Sequence, residues 1–252
     1  MSKEDGMSQM GDMDKTDGMS KTGNMDKTDD MSKTGNIYKT AMKSTAGSVG
    51  RERIILASGS PRRRELLSGI GLEYEVIVSR EEENIEETDP ARVVELLSER
   101  KAMDVAEHLP QEYESQVCII LGADTVVAAD GEILGKPADE ADAVRMIEKI
   151  AGDTHRVYTG VTLIRKTGGI YEEHTFSECT EVSVYDMDHR EIEAYVATGE
   201  PMDKAGAYAI QGLFGKHIQK INGDYTNVVG LPVGRVYREL RKNGWIAEWR
   251  SD

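Results

Sequence analysis

The chain has 252 residues and a formal net charge of −15 at pH 7, with 46 acidic side chains against 31 basic ones. A surface this acidic repels nucleic acid polymers and anionic membranes, so neither is an expected partner. The sequence holds no run of the ~20 apolar residues that a membrane span needs. Its two cysteines suggest neither a metal set nor a disulfide framework. We therefore expect a soluble cytoplasmic protein.

The first fifty residues repeat a six-residue unit and have few apolar side chains other than Met. The unit reads M-S-K-T-G-N at Met19 and again at Met31, with related copies around them. A six-residue period can mark a parallel β-helix, but one Met per turn cannot bury enough apolar surface to offset the entropy of ordering the chain. We predict a disordered low-complexity tail over residues 1–50 that is not a signal peptide. A start codon further downstream is an open alternative.

Residues 51–252 are globular in pattern and carry about −14 of the net charge, because the tail has seven lysines against eight acidic residues. Helices alternate with strands early in this region and two long strands follow, which predicts an α/β fold with a mixed twisted sheet. The predicted strands are 53–57, 74–78, 117–121, the hairpin 126–134, 155–164 and about 171–185. The predicted helices begin near residues 60, 89, 139, 188 and 231.

The segment Leu56–Leu67, which reads L-A-S-G-S-P-R-R-R-E-L-L, predicts a site for an anion. A strand turns directly into a helix there, with Ser60 as N-cap and Pro61 at the first helical position, so free N–H groups and the positive dipole end meet. Three arginines in the first turn are unfavourable beside the positive end of the helix dipole, which indicates that a negatively charged group offsets their charge. They are Arg62, Arg63 and Arg64. Alternatively, they are solvated and pair with Glu65 and other surface acids.

Two acidic positions are candidates for chemistry. The most apolar run, Val117–Leu121, predicts a central buried strand that ends in G-A-D-T at 122–125. A carboxylate at the exit of a buried strand must be paired, hydrogen-bonded or bound to metal, so Asp124 is a candidate functional residue. The loop Ser79–Glu83 could supply the oxygen ligands of a magnesium site, although most acidic runs are simply solvated.

Two lysines and a segment of small residues complete the candidates. Lys101 lies inside a predicted helix, where an ordinary surface lysine is the simplest interpretation. Gly131–Pro137 is not a P-loop, because its spacing is one residue short and it lies in a hairpin, but Lys136 could still contact a phosphate. Pro201–Gly212 is either a tight packing corner or a ligand site in which Gln211 offers a donor and an acceptor to a base edge.

Five motifs in order carry a resemblance to a known family. They are L-A-S-G-S-P-R-R-R-E-L-L at 56–67, G-A-D-T at 122–125, L-G-K-P at 134–137, H-R-V-Y-T-G at 155–160 and D-K-A-G-A-Y-A-I-Q-G at 203–212. Together they resemble the Maf family of nucleoside triphosphate pyrophosphatases, from about Arg53 to Lys242. The resemblance implies a fold related to inosine triphosphate pyrophosphatase, with a mixed sheet and two lobes around a central cleft, often as a homodimer.

The same resemblance implies an activity. Members hydrolyse a nucleoside triphosphate to the monophosphate and pyrophosphate with a divalent metal cation. The motifs G-A-D-T and A-Y-x-I-Q-G resemble those of the family branch that prefers dTTP and UTP. A sister branch differs at both motifs and prefers a methylated guanosine triphosphate. Modified pyrimidine nucleotides are further plausible substrates of such a house-cleaning enzyme. A nucleotide-sensing regulator of cell division arrest, with incidental hydrolysis, is the competing interpretation.

The resemblance also implies residue roles. Asp124 would accept the proton of the attacking water and bind the cation, Mg²⁺ or Mn²⁺. Glu82 would share the cation, although Glu81 and Glu83 adjoin it and leave the register open. The positions that set substrate choice would be Arg62, Thr125 and Gln211. The residues that hold the triphosphate would be Ser58, Ser60, Arg62, Arg63, Lys101 and Lys136.

Overall fold

The computed structural model describes residues 52–81 and 85–246. All of them belong to one compact unit, Ala46–Asp252. The predicted disordered tail of residues 1–50 lies outside the described residues and stays a prediction. Among the helices of the described ranges, none has both the length and the apolar character needed to span a bilayer.

Seven strands and six α-helices form in the described part of the chain. The strands are β1 Arg53–Leu56, β2 Tyr74–Val76, β3 Val117–Ala129, β4 Glu132–Leu134, β5 Thr154–Thr167, β6 Ile170–Val184 and β7 Ile218–Asn222. The helices are α1 Pro61–Gly69, α2 Pro90–Glu107, α3 Glu140–Ile150, α4 His189–Val196, α5 Tyr225–Val229 and α6 Val233–Lys242. Four short 3₁₀ helices are Gln111–Tyr113, Glu200–Asp203, Ala205–Ala207 and Leu213–His217.

The strands form one mixed sheet in the order β2-β1-β3-β5-β6-β7, and β4 pairs with β3. β1 runs parallel to both of its neighbours, while every other pair is antiparallel. The predicted α/β class with a mixed sheet is confirmed.

β3 is longer than the apolar run 117–121 predicted, and it passes through G-A-D-T as far as Ala129. The expectation that Asp124 follows the exit of a strand is therefore wrong. The strand continues because β5 pairs with it without interruption from Val117 to Ala128. On its other edge the sheet splits, since β1 pairs with β3 only as far as Leu121 and β4 joins at Val127. Asp124 lies in the middle of this split.

The long strands β3, β5 and β6 are shared by two lobes. In the first lobe, one face of the sheet packs on α1 and α6 and the other face packs on α2. Trp245 is buried in the first of these clusters. In the second lobe, α3 and α4 pack with β4 around Phe214. The two lobes predicted from the resemblance are thus built on one sheet.

Helix α2 crosses β3 and β5 where both strands carry glycine. A Cβ atom at Gly122 would lie 2.3 Å from the carbonyl oxygen of Ser98, and one at Gly160 would lie 2.1 Å from that of Val94. Any other residue would therefore force the helix away from the sheet. Gly160 is also the cross-strand neighbour of Asp124. The closest helix–sheet contact thus lies directly beside the candidate catalytic carboxylate.

We expect Gly160→Ala to lower the free energy of unfolding by about 2 kcal/mol or more, because the new methyl group overlaps backbone that cannot rotate away. Urea denaturation measures the loss. Gly234→Ala in α6 is the matched control, since no described atom beyond its chain neighbours and the backbone of its own helix lies within 4 Å of the place that its new methyl group would take, and a helical Gly→Ala change stabilises by up to ~1 kcal/mol. An unchanged unfolding midpoint in Gly160→Ala would contradict the close approach of α2.

Candidate active site

A cavity of about 600 Å³ opens between the two lobes at the split in the sheet. Its size is that of typical small-molecule sites. Its lining includes every predicted site residue that lies within the described ranges. These are Ser58, Ser60, Arg62, Arg63, Lys101, Asp124, Thr125, Lys136 and Gln211.

Among the described residues of the lining, cationic side chains outnumber carboxylates. The cations are Arg62, Arg63, Lys101, Lys136 and Lys204, and the carboxylates are Glu81, Asp124 and Asp203. The chain as a whole is strongly acidic, so the cavity is a local positive region that attracts a small anion.

Lys101 and Asp124 form an ion pair inside the cavity. Lys101 Nζ lies 2.5 Å from Asp124 Oδ1, and the two side chains are only 14% and 11% exposed. The interpretation of Lys101 as an ordinary surface lysine is therefore wrong. Two charges this far removed from water need each other, because an enclosed carboxylate without a partner is costly. The pair holds Asp124 in one place and keeps an ammonium group beside it.

Arg63 joins three segments that are distant in sequence. Its Nη1 donates to Ser58 Oγ at 3.0 Å, its Nη2 to Thr125 Oγ1 at 3.1 Å and its Nε to the carbonyl oxygen of Gly230 at 2.8 Å. Thr125 Oγ1 also lies 3.0 Å from Thr159 Oγ1. The guanidinium thus fixes two of the hydroxyl groups that line the cavity. Its expected contact with a triphosphate stays a prediction.

Helix α1 begins with Ser60 as N-cap and Pro61 in its first turn, as predicted. The Ser60 side chain makes no capping hydrogen bond to the helix within the described structure. The backbone N–H of Ser60 donates to Ser58 Oγ at 3.3 Å. The first turn contains no acidic residue. The N-terminal end of α1 therefore carries no carboxylate of its own to offset its positive dipole.

Arg62 reaches toward the second lobe instead of pairing with Glu65. Its Nη1 lies 3.7 Å from Asp203 Oδ2, and Asp203 also accepts a hydrogen bond from Lys204. Burial would raise the pKa of Asp203, but the hydrogen bond from Lys204 and the charges of Lys204 and Arg62 outweigh it and hold that pKa below its ordinary value. Asp203 is thus a charged acceptor that shares Arg62 with any anion entering the cavity.

The acidic loop is described only in part. Glu81 lines the cavity, whereas Glu82 and Glu83 lie outside the described residues, so the metal-binding role expected of Glu82 stays a prediction. Within the described ranges no group of three His, Cys, Asp or Glu side chains could hold a metal ion by itself. Mg²⁺ usually takes one or two protein carboxylates and completes its shell with phosphate and water oxygens. Asp124 and Glu81 fit that donor set.

The segment of small residues packs tightly and also contributes to the cavity lining. A Cβ atom at Gly206 would lie 2.6 Å from a methyl group of Val127, so the segment is a tight packing corner. Its later part lines the cavity with Tyr208 and Gln211. Lys204 and Tyr208 also line the cavity and were not among the predicted site residues, although the D-K pair that opens this motif is a visible signal for the lysine.

The family described as Maf-like protein matches residues 53–243. This chain belongs to the Maf family. A dTTP/UTP pyrophosphatase of Agathobacter rectalis is 51% identical over 192 residues, which cover 73% of this chain and 94% of the relative. Proteins of the same name from Lachnoclostridium phytofermentans and a Geobacillus species are 49% and 45% identical, each over 73% of this chain and over 91% and 95% of their own lengths. The matched Maf region leaves out the repeat tail.

A buried histidine contacts Tyr208, one of the residues that line the cavity. His155, in the H-R-V-Y-T-G motif, places its Nε2 2.8 Å from the hydroxyl oxygen of Tyr208. Burial lowers the pKa of His155 to about 4, so its imidazole is neutral at pH 7. The unfolded chain, with a histidine pKa of about 6.5, binds the additional proton first as the pH falls.

We therefore expect the stability that neutral His155 contributes to be lost as the pH falls from about 6.5 to about 4. His155→Gln should reduce the change in the free energy of unfolding between pH 7 and pH 4.5 by about 2 kcal/mol. Urea denaturation at the two pH values measures it. A wild-type pH dependence in His155→Gln would refute the assignment.

Proposed function

We propose that this protein hydrolyses dTTP and UTP to the monophosphate and pyrophosphate and so removes unwanted pyrimidine nucleotides from the nucleotide pool. The observation that carries the proposal is the Lys101–Asp124 pair at the split in the sheet, inside a cavity whose described lining has more cationic than acidic side chains. The curated relatives, at 45–51% identity, bear the name of this activity. The cytoplasm is the compartment we propose for it, and a homodimer is compatible with the family resemblance.

The triphosphate is the part of the substrate that the cavity suits best. It carries about four negative charges, which need fixed cations and N–H groups around them. Arg62, Lys136 and the N-terminal end of α1 supply these groups from the two lobes. A phosphate that binds Arg62 takes the place of Asp203, so substrate binding exchanges an internal ion pair for an external one.

Asp124 is the residue we propose as proton acceptor. In the reaction the oxygen of water forms a bond to a phosphorus of the α,β-anhydride, the bond to the leaving group breaks, and the proton of the water passes to a base. Asp124 is a carboxylate inside the cavity, and Lys101 keeps its side chain in one orientation. The ammonium group of Lys101 also remains close enough to face the phosphate chain.

A divalent cation, Mg²⁺ or Mn²⁺, would neutralise phosphate oxygens as the anhydride bond breaks. Asp124 would hold it together with Glu82 or its neighbour Glu81, and the substrate would provide further oxygen atoms. In this arrangement the protein provides one or two charged ligands and depends on the nucleotide for the rest.

Thr125 and Gln211 are the positions we propose for substrate choice. Thr125 Oγ1 is fixed by Arg63 and Thr159, whereas the side chain of Gln211 is exposed in the cavity and offers both a donor and an acceptor. These groups can read the polar edge of a pyrimidine base. Modified pyrimidine nucleotides that keep this edge are then substrates as well.

A nucleotide sensor with incidental hydrolysis is less well supported. A sensor needs the cationic side chains that hold the phosphates. It gains nothing from a carboxylate placed beside them, because the negative charge weakens the binding of a phosphate. The position of Asp124 therefore favours the enzyme.

The proposed function is tested by pyrophosphate release from the full chain with Mg²⁺ or Mn²⁺ and a panel of dTTP, UTP, CTP, dATP, GTP and methylated GTP. We expect turnover of dTTP and UTP above the other nucleotides. Binding without turnover of any triphosphate would transfer support to the sensor, and turnover confined to methylated GTP would assign the chain to the sister branch.

Asp124→Asn should fold and bind nucleotide but lose about 10²-fold or more in kcat, because the amide cannot accept the proton. Steady-state kinetics with dTTP and a nucleotide-binding titration measure the two effects separately. Asp130→Asn makes the same chemical change in the exposed turn between β3 and β4 and should leave kcat unchanged. If Asp124→Asn retains wild-type kcat, Asp124 has no role in the chemical step.

A further inference from the structure

The segment 209–213, with Gln211 at its centre, is held at both ends by one pair of side chains that are not part of the cavity lining. Tyr195 Oη accepts a hydrogen bond from the backbone N–H of Ala209 at 3.4 Å. Glu200 Oε2 accepts one from the backbone N–H of Leu213 at 3.0 Å. The two side chains are joined to each other, because Tyr195 Oη donates to Glu200 Oε1 at 3.0 Å. We call this pair the Tyr195–Glu200 clamp.

The tyrosine of the clamp is held in place by its packing in the core. Tyr195 is only 4% exposed, and its ring packs on Phe214 with the centroids 5.1 Å apart. Burial raises the pKa of Tyr195, and the hydrogen bond to Glu200 raises it further. The hydroxyl group therefore keeps its proton and remains a donor to Glu200.

The residue at 212 must be small for the clamp to close. A Cβ atom at Gly212 would lie 2.4 Å from the carboxylate of Glu200, so only glycine lets the carboxylate reach the backbone. The N–H of Gly212 donates to the carbonyl oxygen of Ala209 at 3.0 Å and closes a turn around Gln211. The glycine that ends the A-I-Q-G motif thus makes room for a side chain that approaches from outside the cavity.

The chemistry of Glu200 suits this position. Each of its two carboxylate oxygens accepts a different hydrogen bond, and a carboxylate is the side chain that accepts at both oxygens. A glutamine in its place keeps one acceptor oxygen for the N–H of Leu213, but its NH₂ group cannot accept the hydrogen bond that Tyr195 Oη donates. The arrangement therefore distinguishes Glu from Gln at a position outside the cavity lining.

We propose that Glu200 is a positioning residue for base selection, which acts through Tyr195 and the backbone of segment 209–213 to fix where the amide of Gln211 meets the nucleobase. The proposal rests on the proposed function, because it assigns to the clamp the choice among nucleoside triphosphates. Loss of the clamp frees the backbone on both sides of Gln211, so discrimination falls while the phosphate groups and Asp124 remain in place.

The test compares Glu200→Ala, Glu200→Gln and Tyr195→Phe in the full chain with Mg²⁺. The readout is the ratio of kcat/KM for dTTP to that for dATP. We expect the ratio to fall about tenfold in Glu200→Ala, which corresponds to the loss of one to two hydrogen bonds. Tyr195→Phe keeps the ring against Phe214 and should change the ratio in the same direction, and Glu200→Gln should lie between wild type and Glu200→Ala.

A double variant tests whether Glu200 acts through Gln211. Gln211→Ala should lower the ratio by itself, and Glu200→Ala combined with Gln211→Ala should lower it no further. Glu193→Ala is the matched control, because this exposed carboxylate lies on α4 and pairs with His189 outside the clamp. An additive loss in the double variant, or a ratio unchanged in Glu200→Ala, overturns the proposal. A lower melting temperature with an unchanged ratio would mark Glu200 as structural.

The failure of this proposal can be told from the failure of the proposed function. If the wild-type chain turns over no triphosphate but binds dTTP more tightly than dATP, the proposed function fails and the ratio of the two dissociation constants serves as the readout for the same variants. If the chain binds neither nucleotide, both proposals are overturned.

Discussion

The direct contact between the backbone of α2 and the strands β3 and β5 is the constraint on which the rest of the site depends. Gly122 and Gly160 allow it, since a single methyl group at either position would overlap helix carbonyl oxygens. The contact brings Lys101 within 2.5 Å of Asp124, and the apolar side chains of α2 then pack on the same face of the sheet. Helix packing and the placement of the Asp124 carboxylate are therefore one feature, and a change that loosens the first displaces the second.

The split in the sheet explains why groups from both lobes meet at Asp124. β1 leaves β3 and turns into α1, which delivers the helix N-terminus and its arginines. β4 joins β3 further along and leads into the turn that carries Lys136. Open α/β sheets commonly bind ligands where neighbouring strands diverge in this way. In this protein the antiparallel partner β5 keeps β3 extended across the gap, so the floor of the cavity is a continuous strand.

Local signals predict most elements correctly, and long-range contacts account for what they miss. The helix starts near residues 139 and 188 and the hairpin 126–134 each follow from a few residues, and all three form as expected. The predicted β3 is too short because residues 122–125 interrupt the apolar pattern, while its extension depends on pairing with a strand far along the chain. The local interpretation of Lys101 as an ordinary surface lysine is wrong for the same reason, because its ion pair with Asp124 depends on the packing of α2 against β3. The five motifs contain most of the predicted site residues that line the cavity, whereas the contacts of these residues, and the Tyr195–Glu200 clamp, follow from tertiary structure.

The bond between Arg63 and Gly230 joins residues that are 167 positions apart. A chain emerging from the ribosome exposes α1 well before Gly230 has been added, so during synthesis the guanidinium stays hydrated and the hydroxyl groups that it later fixes are not yet held together. Non-local closures of this kind are slow, because the entropy of the intervening loop opposes them until other contacts have formed. The arrangement of the cavity lining is therefore a property of a chain that has been synthesised past Gly230, and a shorter nascent or prematurely terminated chain lacks it.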